Sequence, residues 1–327
     1  MNKSYLNFRT DMADERVDTY KRVNNLSEID GIKVETKKDN GVITTIVDII
    51  NENGAKAAQK EVGKYITMEI TDVEYLTEEQ KENIIQSLGK SLYSLVSNGE
   101  KENKTVLVVG LGNEYVTPDA LGPKVISYID ITRHLVRYAK EYVEPGTREI
   151  SGISPGVMGT TGIETYEIIC SVVEKVKPEL IIVVDSLASM SVSRLGRTVQ
   201  LGNTGITPGA GIKNEREGLN EKTLGVPVIA IGVPTVVDMA TITNEAIDKL
   251  TDSIKKEATS YMNHGIDTDK LNQVFELFEQ DNRYNMIANA LHTENYIVTP
   301  KEIDAVILKI SEIIASGINF ALEANKK

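Results

Sequence analysis

The chain is 327 residues long, 41% hydrophobic, and carries a formal net charge of −12. That length allows one large domain with appendages or two domains. The acidic balance excludes a protein that grips nucleic acid through its own phosphate contacts, because that term needs clustered Lys and Arg.

Residues 1–15 are polar and without period, and read as a tail or arm. No apolar signal-peptide core opens the chain and no unbroken apolar run reaches about 18 residues, so a soluble, intracellular protein with no membrane span is expected. Residues 32–37 and 42–49 are β-rich runs flanking Asp39-Asn40-Gly41, which predicts a hairpin. Residues 65–70 alternate as a further strand. Thr77 and Gln80 have capping-box spacing, and Ile84, Ile85, Leu88, Leu92 and Leu95 then recur as one face of a helix.

From Thr105 the pattern changes to strand, turn, helix. Residues 105–110 are a short apolar run of the kind buried on both faces of a parallel sheet. Gly110 and Gly112 let the chain turn, and Asp119, fenced by Pro118 and Pro123, lies just past that turn, ahead of helical spacing over 121–138. A glycine-rich stretch, 152–162, opens a helix over 163–176 that holds Cys170. As the sole cysteine, Cys170 excludes an intrachain disulfide and reads as a small buried hydrophobe. Residues 180–184 form a second buried strand ending on Asp185-Ser186. A short strand, 198–201, leads into a glycine-rich loop, 202–225, long enough to suggest function or mobility. Residues 226–231 give the third apolar strand, running on to Asp238. After about residue 265 the chain reads helical, with Thr299, Pro300 and Glu302 set out as a helix start.

This order predicts an α/β fold: a mainly parallel twisted sheet with helices on both faces, an N-terminal β-rich extension and a C-terminal helical segment. The corresponding divisions are 12–100, 101–265 and 266–327, after a short leading piece, 1–11.

Several motifs fail on their own chemistry. Gly110-Leu111-Gly112 lacks the third glycine of a dinucleotide fingerprint, since Tyr115 stands there. Gly152-Ile153-Ser154-Pro155-Gly156 has nucleophile-elbow spacing, but the residue after the serine is proline and cannot supply an oxyanion N–H. His134, His264 and His292 are dispersed and form no zinc-type pair. What survives is carboxylate chemistry. Asp119 and Asp185 follow two buried strands, and carboxylates so placed can converge on one crevice if the strands are neighbours. Two aspartates in one site cannot both ionise cheaply, so the pair can activate water and protonate a leaving group. Asp119 as a helix N-cap, and a divalent-metal site of Asp119, Asp185 and Asp238, are the competing readings.

Gly110-Leu111-Gly112-Asn113 with Thr117 to Pro123, Pro155 to Thr165, Val184-Asp185, Asn203 to Ile206 and Leu224 to Asp238 resemble the germination protease family of endospore-forming bacteria. The resemblance runs in order along nearly the whole chain. It implies an atypical aspartic endopeptidase with Asp119 and Asp185 as its essential pair, needing no metal or cofactor. It also implies a zymogen that removes a short N-terminal piece by self-cleavage, a homotetramer, and action in the cytoplasm of the spore core. The implied substrates are small acid-soluble spore proteins, cut after an acidic residue within a Thr-Glu-Phe/Ile-Ala type sequence, with no direct binding to nucleic acid or membrane. Thr10-Asp11-Met12-Ala13 imitates that pattern, so cleavage between Asp11 and Met12 is expected. More distantly the chain is similar to hydrogenase-maturation endopeptidases, whose nickel and ligating histidine have no evident counterpart here. Such a metal-dependent endopeptidase and an inactive binding or scaffold protein of the same fold are the alternatives.

Overall fold

The computed structural model describes residues 9–39, 41–70, 73–96, 105–207, 217–261, 286–287, 289–290 and 296–323. The chain enters through α1 (Ala13–Asn24), then β1 (Ile32–Asp39), β2 (Val42–Ile49), the short α2 (Glu52–Ala58) and β3 (Gly63–Glu69). Gly41, at φ +82°, supplies the left-handed turn residue between β1 and β2, which pair antiparallel along their whole length. α3 (Glu78–Val96) starts on the expected capping box: Thr77 N–H donates to Gln80 Oε1 at 2.9 Å, and Gln80 N–H to Thr77 Oγ1 at 3.2 Å.

Next come β4 (Thr105–Gly110), α4 (Leu121–Ile126), α5 (Arg133–Tyr138), β5 (Glu149–Ile153), α6 (Met158–Thr161), α7 (Thr165–Val176) and β6 (Leu180–Ala188). β7 (Thr198–Gly202), α8 (Glu221–Leu224), β8 (Val228–Asp238), α9 (Met239–Tyr261), β9 (Ile297–Val298) and α10 (Ile303–Glu323) complete the described elements.

The nine described strands join one connected pattern, in the order β1-β2-β3-β7-β8-β6-β4-β5, with β9 on β8. Pairing is parallel among β5, β4, β6 and β8 and antiparallel elsewhere, so the sheet is mixed and the fold is α/β, with helices on both faces. The N-terminal β-rich stretch continues this sheet, because β3 pairs with β7 from Tyr65↔Gly202 to Glu69↔Thr198.

Four local readings change. Residues 13–15 are no tail but the first turn of α1, with Ala13, Asp14 and Glu15 buried. The helical spacing over 121–138 is divided between α4 and α5, because Thr132 between them accepts Ile150 N–H at 2.9 Å and donates to the Arg148 carbonyl, tying the chain to β5. β5 itself and α2 were not expected. Thr299 does not cap α10: its hydroxyl donates to the Thr235 carbonyl at 2.9 Å, and the helix begins at Ile303. The centre of the glycine-rich loop and most of the stretch after residue 265 lie outside the described residues.

Alternation along the strands sorts the side chains. One face presents Ile66, Met68, Val199, Leu201, Ile229, Ile231 and Val233, packed under α3, α4 and α10. The other presents Leu107, Val109, Ile181 and Val183 beneath α7, while Val47, Ile49 and Tyr65 pack with α1 and α2 at its far end. Among the described residues α10 is the one helix long and apolar enough to cross a membrane, a feature that counting unbroken apolar runs passes over. Its apolar residues, from Ile303 through Ile310, Ile314 and Ile318 to Leu322, are spent on the sheet and α3.

Candidate active site

The connections define where a crevice must open. β4 leads to β5 on one side of itself, and the chain then returns through α7 to β6 on the other. Strand order therefore reverses at β4, and the gap beyond the carboxyl ends of β4 and β6 is the switch point where α/β sheets bind ligands. β4 stops at Gly110, whereas β6 runs on to Ala188 and β8 to Asp238. Asp185 is thus not at the end of its strand, as its sequence context suggested. It sits opposite Gly232 of β8, at the level where β4 has just ended.

Asp119 reaches this gap from the turn after β4. Leu111 N–H donates to the Val184 carbonyl at 2.8 Å, holding the turn against β6. Gly112, at φ +109°, could not be replaced by a side chain without strain, and a Cβ there would lie 2.0 Å from the Asp119 carbonyl oxygen. The Asp119 carboxylate folds back to accept Asn113 N–H at 2.9 Å. It makes no cap to α4, whose N-cap residue is Ala120, so the competing structural reading of Asp119 falls away.

Both carboxylates line one cavity of about 1340 Å³. Burial pushes Asp119 above the ordinary aspartate range, opposed by the Asn113 N–H. Asp185 is pushed well above it, first by burial, then by the charge of Asp119, and less by Asp11; its own Ser186 N–H, at 2.9 Å, opposes the shift. Asp238 is not part of this group. It is buried and caps α9 through Thr241 N–H at 3.1 Å and the Thr241 hydroxyl. Among the described residues no three His, Cys, Asp or Glu side chains are grouped to hold a metal ion. His134 lies on α5, outside the cavity lining, and His264 and His292 lie outside the described residues.

The segment just ahead of α1 reaches the cavity, with Asp11 in its lining. Asp11 N–H donates to the Ala188 carbonyl at 2.9 Å, and Ala188 N–H donates to Asp11 Oδ2 at 2.9 Å. Thr10 is buried; its hydroxyl accepts Met12 N–H at 3.0 Å and donates to Glu15. Arg16 holds the Thr10 carbonyl through Nε at 3.2 Å and Nη2 at 3.0 Å. Met12 and Ala13 are fully buried. Asp11 and Met12 therefore sit in a fixed, extended stretch where the sequence suggested a loose arm.

Sequence reasoning placed four residues here and missed others. Lys60, at the exit of α2, lines the cavity with its ammonium 5.9 Å from the Tyr65 ring centre; burial lowers its pKa and the Asp11 charge opposes that. Gln200 on β7 and Arg16 on α1 contact the segment ahead of α1 directly. Gln200 carried a signal in principle, being the one non-apolar side chain in a fully buried five-residue strand besides the terminal Thr198. Arg16 and Lys60 carried none, since they stand in polar stretches whose helices were unrecognised.

The germination protease family model matches residues 9–264. Germination proteases of Clostridium tetani (strain Massachusetts / E88) and Priestia megaterium (strain ATCC 12872 / QMB1551) are 46% and 38% identical to the chain. The first alignment covers 97% of this chain and 96% of that protein; the second covers 98% and 95%. Among solved structures, a [NiFe] hydrogenase maturation protease, HycI from Thermococcus kodakarensis KOD1, aligns with a TM-score of 0.28 at 18% identity, over 44% of this chain and 80% of that one. On the match of its family model and the near full-length identity to these relatives, the chain belongs to the germination protease family.

Proposed function

We propose that the protein is an aspartic endopeptidase that cleaves small acid-soluble spore proteins in the spore core. On this reading it is made as a zymogen whose residues 1–11 are removed by cutting between Asp11 and Met12. The observation that carries this is the presence of two carboxylates in one cavity that also takes Asp11, from a substrate-like segment of the same chain, into its lining.

On this reading the two carboxylates share one proton: Asp185, raised well above the ordinary range first by burial and then by the charge of Asp119, carries it, and Asp119, also raised by burial but accepting the Asn113 N–H, is its ionised partner. Asp119 takes a proton from water as the resulting hydroxide attacks the carbonyl carbon, and Asp185 supplies the proton that lets the amine leave. The hydrogen bonds of Asp11 to Ala188 and Gln200, and its place in the cavity lining, support reading the segment ahead of α1 as a substrate-like piece of an inactive precursor. The homotetramer and the spore-core location belong to this proposal through the family resemblance.

Incubation of the full-length protein at mildly acidic pH, followed by N-terminal sequencing, gives a new terminus at Met12. The processed protein then cuts a purified small acid-soluble spore protein after an acidic residue. A terminus that stays at Met1 under every activating condition contradicts the zymogen reading.

A further inference from the structure

Gln200 bridges both flanks of the Asp11–Met12 bond. Its Nε2 donates to the Asp11 carbonyl at 3.1 Å, and its Oε1 accepts Ala13 N–H at 2.6 Å. The two partners fix the orientation of the amide, because a carbonyl can only accept and an N–H can only donate. Its place is equally fixed. β7 pairs with β8 at Gln200↔Gly232 and with β3 at Thr67↔Gln200, so the side chain leaves the middle of a sheet rather than a loop. Gly232 also stands opposite Asp185, which puts the glutamine and that carboxylate on strands either side of one glycine.

We infer that Gln200 is a catalytic residue, the amide donor that holds the scissile carbonyl and stabilises the oxyanion formed on it. The inference rests on the reading that Asp11–Met12 is cleaved. As water adds to the Asp11 carbonyl carbon, the C=O π pair moves onto the oxygen, where the Nε2–H already points. The C–N bond then breaks, the electron pair stays on the Met12 nitrogen, and the carbonyl reforms as the nitrogen takes up a proton. A neutral amide in a buried wall needs no reorganisation for this step and is worth more there than in water. The Oε1 contact has a separate task, since it fixes the register of the leaving strand two residues beyond Asp11. Thr10 assists from the substrate side by engaging the Met12 N–H.

Processed enzyme carrying Gln200→Leu or Gln200→Glu is assayed for kcat and KM on a purified small acid-soluble spore protein. Gln200→Glu is close to isosteric and keeps the acceptor for the N–H two residues past the cut; its carboxyl has no donor for the carbonyl once ionised but can donate when protonated. Gln200→Leu is expected to lose about a hundredfold to a thousandfold in kcat, with KM changed by less than about threefold, and Gln200→Glu to lose as much only as pH rises through the ionisation of the new carboxyl. The unprocessed Gln200→Leu chain should slow its release of the Met12 terminus by a similar factor. Wild-type kcat in Gln200→Leu, or a loss confined to KM, overturns the assignment and leaves the glutamine a binding residue. Failure of the carboxylate reading is separately visible: an active Asp185→Asn protein removes the dyad, yet the effect of Gln200→Leu on kcat remains readable, because any attack by water on that carbonyl builds the same oxyanion.

Discussion

The two faces of the sheet use the same strands for opposite purposes. On one face Val199, Leu201, Ile229, Ile231 and Val233 are buried beneath long apolar helices. On the other, the intervening positions of β7 and β8 are Gln200, Gly202, Ala230 and Gly232, and all four line the cavity. Where large side chains fill one side, small ones leave room on the other, between α7 and the α1–α2 pair. A shift of a single residue along a strand therefore separates the packed core from the wall of the cavity that holds Asp119 and Asp185.

Adjacent residues of β8 break this comparison most sharply. Ile231→Ala removes a fully buried side chain from the packed face and should cost about 2–5 kcal/mol in denaturant unfolding. Ala230→Leu, one residue earlier, points into the cavity. It should alter stability by no more than about 1 kcal/mol while lowering substrate cleavage about tenfold, mainly through KM. If Ala230→Leu destabilised as much as Ile231→Ala, the two faces would not be distinct.

The open face should also be the one that pays in stability for function. A buried carboxylate raised above its unfolded pKa is favoured when protonated, so its stabilising contribution is full below the ordinary 3.8 and is lost as pH rises through the folded value. Asp185→Asn removes this loss. The variant should melt above the wild type at neutral pH, with the difference vanishing as pH falls below 3.8. No difference at any pH would mean that Asp185 is not held in a desolvating, like-charged site.

What was legible in the sequence follows the same division. The packed face announces itself, since Leu180 to Val184 and the spacing from Ile84 to Leu95 are hydrophobic patterns that only burial explains. The carboxylates were legible because they follow such strands, and Asn40-Gly41 because its turn chemistry is local. β5 was not, for Ser151 and Gly152 interrupt its apolar character and its edge pairing with β4 alone needs little of it. The first turn of α1, residues 13–15, reads as part of a tail and the rest of the helix shows no period, because α1 is polar almost throughout. Ala13 and Val17 are buried against Val47, Ile49 and Tyr65 of β2 and β3, while Asp11 and Ala13 are held by hydrogen bonds to Ala188 and Gln200, far along the chain. Gln200 illustrates the limit: its residue type and buried strand were visible, but its partner lies 189 positions away.

The central claim is that Asp119 and Asp185 act as one unit. The most direct measurement compares cleavage of a purified spore-protein substrate by Asp119→Asn, Asp185→Asn and the double variant. Groups that share one proton fail together, so each single change should cost about a thousandfold in kcat and the double change little more. Substantial activity in either single variant, or losses that multiply in the double, would show that the two carboxylates do not form the site proposed for them.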